Sequence, residues 1–183
     1  MNDAQANPGR RSLHLRRITC EGFLRDDGLI DIDGMLLDTK PHSHRLVNKV
    51  VDAGEPIHLM HMRITINRER EIVDAKAVTE QGPYDECLEV QPFYRKLIGL
   101  KLEAGFSRVV KKMFAGTQGC THMTELLPPM ATTAFQVLWS EDGWDGVDEP
   151  GSRARTSPIN GCHALRIESH VVQTYFKEHL KNA

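Results

Sequence analysis

From Ser12 to Lys40 apolar and polar residues alternate in two runs, SLHLRRITCEGFL and LIDIDGMLLDTK, separated by Arg25-Asp26-Asp27-Gly28. Alternation of period two places successive side chains on opposite faces of a strand. Asp-Gly between two such runs is a hairpin signal, because glycine takes the positive φ that the turn requires. A second turn is expected at Asp33-Gly34. The stretch Pro41 to Gly54 is a connection in which LVNKVV predicts a short helix, ended by Gly54 and Pro56. Ile57 to Thr79 repeats the hairpin pattern: HMRITI alternates, Asn67-Arg68-Glu69-Arg70 turns, and EIVDAKAVT alternates back. This register puts Met62, Ile64 and Ile66 on one face and His61, Arg63 and Thr65 on the other.

After Gly82-Pro83-Tyr84 the period lengthens. FYRKLIGLKL, GFSRVVKKMFAG and CTHMTELLPPMATTAFQVLW carry helical spacing, with Gly99, Gly105 and Gly116 at the ends. Phe106, Val109, Val110, Met113 and Phe114 make one apolar stripe. The Pro128-Pro129 pair is expected to kink or break the last of these helices. Ser140 to Asn160, rich in Gly, Pro and charge, reads as a mobile loop or lid. Cys162 to Ala183 returns to order as a short hairpin, or a strand followed by a helix. The pattern predicts an α+β fold, an antiparallel sheet built from N-terminal hairpins with helices packed on one face. Residues 1–11 form a disordered lead-in and residues 12–183 a single domain.

Composition narrows the function classes. The chain has 183 residues, and a domain of that size buries about 70% of its unfolded surface, so it needs no disulfide or metal merely to fold. Hydrophobic residues make up 40%, charged residues 26%, and the formal net charge is -2. Neither a nucleic-acid partner nor a basic membrane-binding face is indicated. No apolar run approaches the roughly 20 residues needed to cross a bilayer. MNDAQANPGRR has no apolar core behind its arginines, so a secretory signal is not expected and the location is cytoplasmic. Cys20, Cys87, Cys120 and Cys162 are then reduced, which leaves packing, metal binding or catalysis as their roles.

The sharpest chemical feature is Gly119-Cys120-Thr121-His122. A cysteine at a helix start feels the positive end of the dipole, which favours the thiolate, the form that binds metals or attacks carbon. His122 adds a nitrogen two residues on. Glu125, one turn further along the same face, suits a ligand, a supporting partner or a general base. The competing role for Cys120 is a small buried hydrophobe, and for His122 a cap. Asn160-Gly161-Cys162-His163 repeats the arrangement of glycine, cysteine and histidine. Cys87 sits where the hairpin hands over to the helices, and packing competes with ligation there too. Cys20, inside a strand, is structural. In HLMH, a strand sends His58 and His61 to opposite faces, so only His58 is a candidate to face a site. Asp38-Thr39-Lys40-Pro41 ends its strand and caps a turn. Paired CxxC, HExxH, zinc-finger, dinucleotide, phosphate-loop and GxSxG motifs are absent from the sequence.

CEGFLRDDGLIDIDGMLLDTK, GEPIHLMHMRITI, GCTHMTELLPPMA and GCHALR, in this order, resemble the bacterial family called domain of unknown function 2889. The resemblance runs from about Leu15 to about Tyr175. The family pattern carries an aspartate after GEPIH, where this chain has Leu59. In layout, IVDAKAVTEQGPYDEC, LIGLKLEAGF and GCTHMTELL also resemble the iron-sulfur cluster scaffold family. That likeness implies ligand-like positions for Cys87 and Cys120, with His122 close by. The function expected from the sequence is a metal-dependent enzyme acting on a small organic molecule. Cys120, His122, Cys162 and Cys87 are its metal ligands, Glu125 its acid or base, and zinc or iron, possibly as an iron-sulfur cluster, its cofactor. An iron-sulfur or metal transfer protein and a metal-free ligand-binding module are the alternatives. An open coordination position marks the enzyme and a closed four-ligand site the transfer protein.

Overall fold

The computed structural model describes residues 9–141 and 159–176. The chain divides into two compact units, residues 1–141 and 142–183. Four antiparallel strands make the main sheet of the first unit: β1 (Leu15–Leu24), β2 (Ile30–Thr39), β5 (Pro56–Ile66) and β6 (Ile72–Gln81), side by side in that order. The fold is α+β, as the alternating N-terminal runs predict. The turns expected at residues 25–28 and 67–70 both form. Gly28, at φ 81°, donates its N–H to Arg25 C=O at 3.0 Å. The Asn67 side chain accepts from Glu71 N–H at 2.9 Å while Arg70 takes φ 64°.

β2 runs straight through Asp33-Gly34, so the turn expected there is corrected to strand. Gly34 is needed for closeness instead. A Cβ at this position would lie 2.6 Å from the Met130 sulfur. Gly22, on β1, meets the Val137 side chain in the same way. The two glycines thus let a helix settle onto β1 and β2. The LVNKVV segment is also corrected. Its last two residues, Val50 and Val51, form β4 (Val50–Val51), which pairs with β3 (His44–Arg45) in a two-stranded ribbon, and Val47 lies in the bend between them.

The helix on the sheet is α2 (Thr121–Glu141). Met123, Leu126, Leu127, Met130, Ala131, Ala134 and Leu138 recur every three to four residues and all are buried. They face Ile30, Ile32, Leu36, Met60, Met62 and Ile64 from the sheet. The helix does not break at Pro128-Pro129. The two missing N–H groups cost it two ladder bonds, but the packed apolar face on either side carries it through. The first half of FYRKLIGLKL lies in a 3₁₀ segment (Gln91–Leu97) and not in an α-helix, with Pro92 at its start; the rest turns at Gly99, at φ 89°, and runs beside β6. α1 (Phe106–Met113) forms as predicted, with Phe106 and Val110 buried but Val109 47% exposed, so the stripe is narrower than expected.

In the second unit, turns lead to α3 (His170–Tyr175), capped by Ser169 Oγ, which accepts from Val172 N–H at 3.1 Å. No strand precedes α3 among the described residues of this unit. Residues 1–8 and most of the 140–160 stretch, expected as a lead-in and a lid, lie outside the described residues.

Candidate functional site

The strand register builds the site. Arg16 on β1 lies opposite Asp38 on β2, and Asp38 lies opposite His58 on β5. The three share the helix side of the sheet, one rank beyond Ile18, Leu36 and Met60. Here the core's alternation continues, but the residue types switch from apolar to ionisable. The N-terminus of α2 closes over this rank and brings His122 with it. The His58 and His122 rings stack with centroids 3.8 Å apart.

Asp38 is the centre. Its side chain is 1% exposed. A carboxylate can only accept, and this one accepts four times. Oδ1 takes Arg16 Nε at 2.8 Å and His14 Nε2 at 3.1 Å. Oδ2 takes Arg16 Nη2 at 2.7 Å and His58 Nδ1 at 3.0 Å. Burial is the largest influence on this group and pushes its pKa up. Arg16, then His14, oppose it, and the balance holds Asp38 at about 2, below its ordinary 3.8. The carboxylate is therefore ionised at any physiological pH.

Burial sets the two stacked imidazoles apart from surface histidines. Burial pushes the His58 pKa below 6.5, helped by His122 and resisted by Asp38. Burial also lowers His122, helped by Arg16 and resisted by Asp38. Both rings are neutral at pH 7. His122 Nε2 is 3.9 Å from Asp38 Oδ2. The ligand-type atoms of Asp38, His58 and His122 all lie within 4.8 Å of one another. A tetrahedral ion with bonds of about 2.1 Å holds its ligands roughly 3.4 Å apart, and the Asp38–His58 and Asp38–His122 separations bracket that value.

Tyr94, fully buried, fixes the first turn of α2. Its hydroxyl accepts from Cys120 N–H at 3.0 Å, donates to Cys120 C=O at 2.9 Å, and lies 2.8 Å from Thr124 Oγ1. Burial pushes the Tyr94 pKa up, so the hydroxyl keeps its proton.

Cys120 Sγ comes to 3.8 Å from His122 Nδ1, so these two predicted residues do converge. Glu125 forms an ion pair with Arg16 at the rim of the site and is 45% exposed. Cys87 and Cys120 line one largely apolar depression with Tyr84, Val90 and Gly119. Cys162 is exposed and belongs to the second unit. Among the described residues no cysteine joins a group of three potential ligands. The ligand set expected from the sequence thus shares only His122 with the observed cluster. Cys20 packs against the core, where burial pushes its thiol up.

Asp38 and His14 carry more of the site than their sequence context suggests. Asp38 looks like a turn cap, and His14 is one of nine histidines. A signal was present nonetheless: in IDIDGMLLDT the buried face reads Ile30, Ile32, Gly34, Leu36, Asp38, an acid on the apolar side.

No helix among the described residues is long and apolar enough to cross a membrane. Neither the curated proteins nor the solved structures contain a match to this chain. Residues 14–136, which hold every residue of the site from His14 to Glu125, match the family model described as protein of unknown function (DUF2889), and the chain belongs to that family.

Proposed function

We propose that Asp38, His58 and His122 form the metal centre of an enzyme acting on a small organic molecule. One observation carries this reading: three potential ligands from three separate elements converge to within 4.8 Å, with the acid ionised and both imidazoles neutral. These are the protonation states a metal requires. Two histidines and one carboxylate suit zinc or iron(II) and leave coordination positions open, which catalysis needs and a closed structural site lacks. A bound ion there supplies a Lewis acid or an activated water. For His58 Nδ1 to hold such an ion, the proton it now shares with Asp38 Oδ2 would have to pass to Nε2 of the same ring. Glu125, exposed at the rim, exchanges protons with substrate or solvent, and Cys120 borders the coordination space.

The test is the metal content of anaerobically purified full-length protein, before and after equilibration with Zn²⁺ or Fe²⁺. Stoichiometric metal is expected in the wild type and its loss in His58→Ala and His122→Ala, with folding checked by circular dichroism. A wild-type protein that takes up neither ion rules the centre out.

One feature favours a second reading, a metal-free ligand-binding module. The Arg16 fork already neutralises Asp38 through two bonds. In that case His58 Nε2, its tautomer set by Asp38, is the group offered to a ligand. The same measurement separates the two readings.

A further inference from the structure

The two edges of the main sheet are finished differently. On the outer side of β6, Ile72 N–H donates to Leu100 C=O at 2.9 Å and Gly99 N–H to Ile72 C=O at 2.8 Å, and Glu71 bridges to Lys101. β1 pairs only with β2, and among the described residues nothing hydrogen-bonds to the other edge of its ten residues. A long bare edge is a template for another strand.

The side chains of β1 select that strand. On the face away from α2, β1 carries Leu15, Arg17, Thr19, Glu21 and Phe23 in order. Leu15 is 44% exposed and Phe23 42%. Arg17 and Glu21 are exposed and have no ion-pair partner among the described residues. Glu21 is moreover poorly placed in a single chain. Its cross-strand neighbour is Asp33, whose charge is engaged by Arg63 at 2.6 and 2.7 Å. Arg17 faces Leu37 and gains nothing from it. The order of residues is complementary to itself when reversed. In an antiparallel pairing of two copies about Thr19, Arg17 meets the partner's Glu21, Leu15 meets the partner's Phe23, and Thr19 meets the partner's Thr19. Each pair lies on one face, and both charges and both apolar residues are matched. Shifting the two-fold to Cys20 instead sets Arg17 against Phe23 and Glu21 against Thr19, and every match is lost.

We propose that this protein forms a homodimer through β1, joining two four-stranded sheets into one of eight strands. The partner's Gly22 then lies opposite Arg16 and the partner's Leu24 opposite His14, so the second copy borders the Asp38 cluster on its open side. This pairing depends only on the edge of the sheet and stands whether or not the cluster binds metal.

The test uses the full chain, and its readout is mass by sedimentation velocity over a concentration series. The wild type is expected to dimerise. Arg17→Glu and Glu21→Arg each turn two attractive pairs into two repulsive ones and weaken self-association by roughly tenfold or more. Mixing the two variants restores both pairs, so a heterodimer should form where neither variant dimerises alone. Thr19→Cys gives a probe that does not rely on charge. The new thiol faces its own copy across the two-fold and should cross-link the dimer under mild oxidation, whereas Glu21→Cys should not do so faster than wild type. A monomeric wild type, single variants that associate as before, or no preferential cross-link at Thr19→Cys overturns the proposal.

Discussion

A single hydroxyl positions much of the site. Tyr94 reaches from the 3₁₀ segment into the first turn of α2 and bonds both backbone groups of Cys120 and the Thr124 side chain. Replacing it by phenylalanine keeps the ring and its stacking on Phe114 but takes this partner from Cys120 N–H and Thr124 Oγ1, while Cys120 C=O keeps the Thr124 N–H at 2.9 Å. The loss should be about 1–3 kcal/mol, read from denaturant unfolding. Because His122 follows in the same turn, Tyr94→Phe should also weaken whatever binds at the Asp38 cluster. Unchanged stability would mean that water replaces the hydroxyl and that the turn is held by its packing alone. Asp38 illustrates what a sequence conceals at this scale. Read along the chain it ends a strand before a proline, a setting in which an acid caps a turn. Its place on the apolar face of β2 hints at more, and the register against Arg16 and His58, distant in sequence, reveals it as the acceptor of four hydrogen bonds.

The elements were mostly legible where one periodicity ruled. β1, β2, β5 and β6 follow alternation, and α2 follows the apolar repeat through its prolines. The misreadings fall where glycine or a short apolar run has two meanings. Asp-Gly at 33–34 has the composition of a turn, yet Gly34 is a contact surface for Met130. The two close-contact glycines differ in what they touch, which gives a prediction. Alanine at Gly22 meets Val137, whose branched side chain has little rotamer freedom in a helix. Alanine at Gly34 meets the flexible thioether of Met130. Both substitutions should destabilise, Gly22→Ala by about 1–3 kcal/mol and Gly34→Ala by less. Equal melting temperatures for Gly22→Ala and wild type would show that α2 shifts on the sheet without cost. The site-bearing turn of α2 lies ahead of the proline pair, and Pro128 and Pro129 leave the carbonyls of Thr124 and Glu125 without their helical donors.

For the molecule as a whole, the cluster makes stability sensitive to acid. His58 and His122 are held below 6.5, so an unfolded chain takes up these protons first as the pH falls. Stability is complete above about 6.5 and declines below it. Asp38, held at about 2 against 3.8, adds a contribution complete above 3.8 and lost as the pH falls through about 2. That contribution is about 2 kcal/mol at neutral pH. In chelator-treated protein, the gap in melting temperature between wild type and Asp38→Asn should therefore close between about pH 4 and pH 2. A gap that stays constant across that interval would place the aspartate's value in its shape and not in its charge. The α+β architecture was accessible from sequence because hairpins are local. The cluster was not, because Arg16, Asp38, His58 and His122 come together only when three strands and a helix are all in place. The same geography governs mass action. An ion or ligand held by these residues has no counterpart site on the unfolded chain, so it draws the folding equilibrium toward the native state by RT ln(1 + [L]/Kd). For this protein, occupancy of the site and the fraction of chains folded are one coupled quantity.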